Sequence, residues 1–191
     1  IEYIPGEYAW RAVNAPGYMV IHCLWVVGKG KGKGYGGRLI KECLDDARAQ
    51  NMKGVAMLTS DRTWLANKDV FIHNGFAQVD SAPPSFQLMV ARFGSGPEAS
   101  LPKNWDERAR AFGRGLTVIR TAQCPYIENA TNAILNFAKD RGIRAKVVEF
   151  KTAREVQDQS PSAYGVFGTV LNGRFLAYYY LLPKDFDKLM L

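Results

Sequence analysis

The chain has 191 residues, 47% of them hydrophobic, and a formal net charge of +7. This length allows one large domain or two small ones. The sequence lacks both the roughly 18 to 20 consecutive apolar residues of a membrane span and the opening of a signal peptide, so we expect a cytoplasmic protein without a membrane partner. Three scattered cysteines and two histidines indicate neither a disulfide framework nor a metal site.

The first third of the chain predicts a strand, loop, helix, strand unit. Residues 1–5 and 8–13 are predicted as strands, and the apolar run at residues 17–27 predicts a buried strand. Apolar residues then recur at helical spacing from Leu39 to Ala47, which predicts a helix that ends near Asn51. A second buried strand is predicted at residues 54–59.

A run of glycine and lysine at residues 28–37 joins the buried strand to the helix and is the best indication of function. Glycine lets the backbone turn sharply and bring several amides close to one anion, and the helix behind the loop adds its dipole. Lys29, Lys31, Lys33 and Arg38 supply full positive charges. The sequence therefore predicts a phosphate-bearing ligand, while a flexible basic loop without a specific ligand remains the alternative.

Two common phosphate loops fit this run poorly. The nucleoside triphosphate loop needs lysine and a hydroxyl residue after its last glycine, but residues 32–37 are followed by Arg38 and Leu39. The dinucleotide fingerprint is met formally within the same residues, yet Met57 stands where an acidic residue should bind the ribose. The lysines are not interleaved with aromatic residues, so we expect no nucleic-acid partner.

The second half of the chain has its own α/β pattern behind a Gly-, Pro- and Ser-rich stretch. We predict a linker at residues 94–112, with a short helix at 105–112, between a first domain at 1–93 and a second at 113–191. Within the second domain we predict strands at 116–120, 145–150, 165–171 and 174–180 and helices at 127–141, 153–158 and 183–190. Asn172 and Gly173 predict the hairpin between the last two strands.

The first domain resembles the GNAT N-acetyltransferase superfamily. Residues 24–26 and 31–36 are similar to its coenzyme A loop, with Lys31 where Arg or Gln is usual, and residues 71–76 look like its closing aromatic and Gly-Phe segment. The resemblance implies an α/β (α+β) chain whose mixed-sheet GNAT fold lacks its N-terminal elements. It also implies that acetyl-CoA is bound by Leu24, Trp25, Val26, Lys31, Gly32, Lys33, Gly34, Tyr35 and Gly36.

The resemblance further implies that an amine of a small molecule or peptide attacks the acetyl-CoA thioester directly. Many members protonate the departing thiolate with a tyrosine at the position that Phe71 fills here. Either Tyr35, Ser60, water or a residue elsewhere therefore replaces it, or the thiolate leaves without help. His22 has the chemistry of a general base, although a lone histidine in an apolar strand is often only a hydrogen-bonded core residue. Glu2 and Glu7 are the alternative bases.

The second domain resembles the thioredoxin-like fold. Residues 124–127, Cys-Pro-Tyr-Ile, stand where that fold has its redox motif, and Ile127 replaces the resolving cysteine. Cys124 is therefore either a reactive monothiol or a structural residue, and the resemblance implies a cis peptide bond before Pro161. The two halves together resemble the YoaP-type acetyltransferases. The alternative function is a thiol- or peptide-binding, redox-sensing module with a vestigial coenzyme loop.

Overall fold

The computed structural model describes residues 1–62, 64–181 and 185–186. These residues form two compact units. Unit 1 consists of Ile1–Ala9 and Val13–Pro102, and unit 2 consists of Trp10–Ala12 and the described residues from Lys103 onward. No helix in the described ranges has both the length and the hydropathy that crossing a bilayer requires.

Unit 1 is built on a five-stranded mixed sheet. Its elements are β1 (Glu2–Pro5), β2 (Tyr18–Cys23), α1 (Tyr35–Ala49), β3 (Gly54–Ser60), α2 (Asp69–Ile72), β4 (Ala77–Ala82) and β5 (Phe86–Arg92), with 3-10 turns at Gly6–Tyr8 and Gly28–Gly30. The strand order is β1-β2-β3-β5-β4, and β2 and β3 are parallel whereas the other pairs are antiparallel. The predicted helix and both buried strands are thus present.

Two predictions for the early strands are wrong in extent. No strand forms at residues 8–13, because the chain turns at Gly6–Tyr8 and the Ala9 amide donates to the Gly6 carbonyl at 3.2 Å. A Cβ on Gly6 would lie 2.0 Å from the Ala15 carbonyl oxygen, so this turn is packed tightly against the chain that follows. The strand predicted at 17–27 ends at Cys23, and its pairing with β3 ends at Ile21.

The main core of unit 1 lies between one face of the sheet and α1. Alternate residues of the central strands point into it, as the period of two for a strand requires. They meet the helix face formed by Ile40, Cys43, Leu44 and Ala47, which are all buried. Since each fully buried large side chain contributes about 1.5–3 kcal/mol, this packing fixes the start of α1 beside the end of β2.

Unit 2 is built on a four-stranded mixed sheet. Its elements are α3 (Trp105–Arg110), β6 (Leu116–Arg120), α4 (Ile127–Asp140), β7 (Ala145–Glu149), α5 (Ala153–Gln159), β8 (Phe167–Leu171) and β9 (Arg174–Ala177). The strand order is β7-β6-β8-β9, with β6 and β7 parallel and the remaining pairs antiparallel. Thr152 and Glu155 form a capping box at the start of α5.

The predicted hairpin is confirmed, since Asn172 and Gly173 have φ values of 51° and 75° between β8 and β9. The cis peptide bond expected before Pro161 is wrong. The cis bond in the described residues joins Pro83 and Pro84, while Ser160 and Ser162 form a compact turn through the Ser160 hydroxyl around a trans Pro161. The predicted helix at 183–190 lies outside the described residues except for 185–186.

Candidate functional site

The loop between β2 and α1 has a shape that depends on glycine. Gly28, Gly32 and Gly34 have φ values of 55°, 73° and 76°, in the left-handed region. A residue with a Cβ is less stable there by roughly 1–2 kcal/mol. A Cβ built on any of these three glycines would meet no atom within 4 Å, so the surface above them is open.

The same loop presents a row of backbone amides at the start of α1. Gly34 caps the helix without a side-chain acceptor, and the first bond of the helix runs from the Arg38 amide to the Gly34 carbonyl at 3.2 Å. The amides that precede Arg38 in α1 belong to the first turn of the helix, where the helix itself offers them no carbonyl acceptor. With the positive end of the helix dipole and the exposed ammonium groups of Lys31 and Lys33 beside them, these amides can bind an anion.

A groove of about 540 Å³ adjoins this anion site. One wall is the chain that leaves the sheet after β2, and the other is the exposed side of α1. It is lined by Trp25, Val26, Val27, Tyr35, Arg38, Leu39 and Glu42. Trp25 is 61% exposed, and the Arg38 guanidinium lies 5.9 Å from the centre of the Tyr35 ring. We refer to this groove and the amide row together as the loop site.

The structure brings most of the residues expected to bind coenzyme into the loop site. Trp25, Val26 and Tyr35 line the groove, residues 31–34 form the adjoining turn, and Gly36 lies in the first turn of α1. Leu24 instead packs against the core. The sequence analysis missed Val27, Leu39 and Glu42, although helical spacing from Tyr35 through 38 and 39 to 42 would have indicated a single face of α1.

Two of the three base candidates from the sequence, His22 and Glu2, lie against each other. His22 is 6% exposed, and its Nδ1 lies 3.4 Å from the Glu2 Oε1 of the neighbouring strand β1. His22 directly follows the last residue of β2 that pairs with β3. Glu7 has a different role, because its Oε1 accepts a hydrogen bond of 2.7 Å from the Gly17 amide just before β2.

The proton-donor candidates are in different environments. Phe71 is fully buried and meets Phe76 edge-to-face at 5.3 Å, so this position belongs to the core. Ser60 is buried at the end of β3, with its Oγ 2.7 Å from the Ser85 Oγ. Tyr35 is 42% exposed in the groove of the loop site. Tyr35 is therefore the hydroxyl most accessible to a ligand in that groove.

The three cysteines differ in burial. Cys43 is fully buried in the core, and burial raises the pKa of its thiol to about 12. Cys23 is exposed, and Cys124 is partly exposed in the turn before α4, where its carbonyl accepts from the Ile127 amide at 3.2 Å. Because only the thiolate is a nucleophile, we expect an alkylating reagent to react with Cys23 and Cys124 and to spare Cys43.

We expect iodoacetamide at pH 8 to modify Cys23 and Cys124 in the folded protein and to leave Cys43 unmodified. Mass spectrometry of peptides would measure the extent at each site, and denaturation in urea should expose Cys43 to the same reagent. Rapid modification of Cys43 in the folded protein would contradict its burial between α1 and the sheet.

Comparison with known proteins adds one relative. No family model matches the chain, and no solved structure matches it. The uncharacterized N-acetyltransferase YoaP of Bacillus subtilis (strain 168) is 31% identical to it over 192 residues. The alignment covers 100% of this chain and 76% of that protein, so the similarity extends over both units and is not confined to the glycine loop.

Proposed function

The chain belongs to the family of the N-acetyltransferase YoaP, and on that premise we propose that it transfers the acetyl group of acetyl-CoA to an amine. The observation that carries the proposal is the loop site, where glycines with positive φ and open space above them form a lysine-rich turn at the start of α1. The parallel strands β2 and β3, which stop pairing after Ile21, support a GNAT-type unit 1.

The residues of the loop site fit coenzyme A. The amides of residues 32–37 and the ammonium groups of Lys31 and Lys33 would bind its diphosphate. The chain at residues 24–26 has left the sheet, so its backbone polar groups are available to the amides of the pantetheine arm, whereas the Val27 carbonyl accepts from the Gly30 amide. Acetyl-CoA, as co-substrate, supplies the activated acetyl group.

His22 is the proposed general base. An Nδ1–H donated to Glu2 makes Nε2 the basic nitrogen of the imidazole, which takes a proton from the acceptor ammonium. The amine nitrogen then forms its bond to the acetyl carbon, the carbon–sulfur bond breaks, and the coenzyme leaves as thiolate. The nitrogen releases its second proton to give the neutral amide, and this proton balances the one that the thiolate takes up. Phe71 has no proton to give, so we assign the protonation of the thiolate to Tyr35 or water.

Thermal unfolding with and without acetyl-CoA tests the proposal. A ligand that binds only the folded state at 100 times its Kd stabilises it by about 2.7 kcal/mol, so the melting temperature should rise clearly. Acetate and inorganic phosphate at equal concentration are the controls and should produce little change. No shift at millimolar acetyl-CoA would refute the proposal, and a shift should be followed by an assay of acetyl transfer to a panel of amines.

Unit 2 supports a second candidate function. Its strand order, β7-β6-β8-β9, and the position of Cys124 between β6 and α4 resemble the thioredoxin-like fold. On this view unit 2 binds a thiol or a peptide, and the glycine loop is vestigial. Thiol binding that Cys124→Ser abolishes, in a protein that acetyl-CoA does not stabilise, would favour this candidate. An acetyl-CoA shift that is unchanged in Cys124→Ser would favour acetyl transfer.

A further inference from the structure

Unit 1 has a second groove, of about 550 Å³, at the hairpin between β4 and β5. We refer to it as the hairpin groove. Its lining is largely polar and includes Lys68, Gln78, Ser81, Ser85 and Gln87. Because β5 begins opposite Ser60, the last residue of β3, this groove lies at the carboxyl end of β3. The loop site follows the carboxyl end of the parallel strand β2, so both lie at the same edge of the sheet.

A buried amide holds a carboxylate beside this groove. Gln87 is 8% exposed, and its Oε1 accepts a hydrogen bond of 3.0 Å from the fully buried Thr59 hydroxyl. The Gln87 amide nitrogen therefore faces the other way and donates to Asp61 Oδ2 at 3.0 Å. Asp61 itself is exposed. Since a carboxylate has about four acceptor positions, it can still receive hydrogen bonds from an ammonium group.

A lysine without an anionic partner lines the same groove. Lys68 precedes α2 and is partly buried. In the part of the chain that the structure describes, its ammonium group has no hydrogen bond or ion pair. Partial burial of an unpaired charge is unfavourable, and an anionic group on a ligand would offset this cost. The hairpin groove thus has a cation, Lys68, in its lining and an anion, Asp61, hydrogen-bonded to the lining residue Gln87.

We infer that the hairpin groove binds the acceptor and that the acceptor is a zwitterionic amine of the amino-acid class. Its ammonium group pairs with Asp61, and its carboxylate pairs with Lys68. This inference rests on the proposed acetyl transfer and names the substrate class for it. The reaction is unchanged: the bound amine loses a proton to the base, the nitrogen–carbon bond forms, and the coenzyme thiolate leaves.

The test compares L-amino acids with the corresponding amino-acid amides as acceptors, with release of coenzyme thiol as the readout. Wild type should acetylate amino acids with a KM at least tenfold below that of their amides. Lys68→Met should raise the KM for amino acids about tenfold and leave the KM for amides unchanged. Asp61→Asn keeps an acceptor for Gln87 but loses the charge that pairs with the ammonium group, so it should raise the KM for amino acids and the KM for amides. Lys139→Met makes the same change as Lys68→Met on an exposed lysine of α4 in unit 2, and as the matched control it should change neither.

The possible outcomes separate this inference from the proposed function. If acetyl-CoA fails to stabilise wild type, the proposed function is wrong and the inference falls with it. If acetyl-CoA stabilises the protein but no L-amino acid is acetylated, or amides serve as well as acids, the zwitterion inference alone is overturned. Unchanged KM values in Asp61→Asn and Lys68→Met, with wild-type melting temperatures, would also overturn it.

Discussion

Gly34→Ala is expected to remove most of the stabilisation that acetyl-CoA gives to the protein. Gly34 caps α1 with φ at 76°, where a Cβ destabilises the backbone by roughly 1–2 kcal/mol. The loop can relieve this strain by changing the turn that precedes α1, which moves the amides proposed to bind the diphosphate, and a methyl group that stays in place projects into the open space above the loop. Of the roughly 2.7 kcal/mol expected at 100 times the Kd, little should remain. Melting curves with and without the ligand measure the difference.

Gly142→Ala is the matched control for this substitution. Gly142 follows α4 in unit 2 with φ at 65°, and a Cβ there would also meet no atom within 4 Å. Both variants should therefore lose similar stability without ligand, and only Gly34→Ala should lose the acetyl-CoA shift. An equal shift in the two variants would show that acetyl-CoA is not held by the loop at Gly34.

The parts of the loop site that could be predicted from the sequence depend on local preferences. Positive φ at Gly32 and Gly34 and the start of a helix at Tyr35 follow from residue types within a few positions of each other. The same is true of the Asn172 turn in unit 2. These features were predictable because each depends on a short segment whose residue types allow few backbone conformations.

The features that the sequence did not predict depend on register between distant strands. His22 meets Glu2 because β1 and β2 pair across 20 positions, and Gln87 meets Asp61 across 26. A shift of either strand by one residue would move these side chains to opposite faces. The early end of β2 has a similar origin, since the apolar residues at 24–27 favour a strand locally but lack a partner in the sheet. The local pattern of residues does not indicate which strands pair or in which register.

His22→Gln is expected to lower kcat by roughly 100- to 10,000-fold, which is the usual contribution of a general base. Glutamine keeps a polar group in the buried position beside Glu2 but cannot take a proton near neutral pH. The KM for acetyl-CoA and the thermal shift should stay at wild-type values, because the loop site does not include His22. Initial rates with the amine that wild type acetylates fastest measure the effect.

Glu2→Gln and Glu7→Gln distinguish a catalytic effect from a structural one. Both replace a carboxylate by an amide, but only Glu2 contacts the proposed base. Glu2 holds the imidazole, so its loss should lower kcat about tenfold through misplacement of the base. Glu7 accepts a hydrogen bond from the Gly17 amide and does not hold the imidazole, so Glu7→Gln should leave kcat unchanged even if the melting temperature falls. The contrary result would be a His22→Gln variant that keeps the wild-type kcat and is still stabilised by acetyl-CoA. The imidazole would then be a core residue hydrogen-bonded to Glu2, and the amine would lose its proton to water or to Asp61.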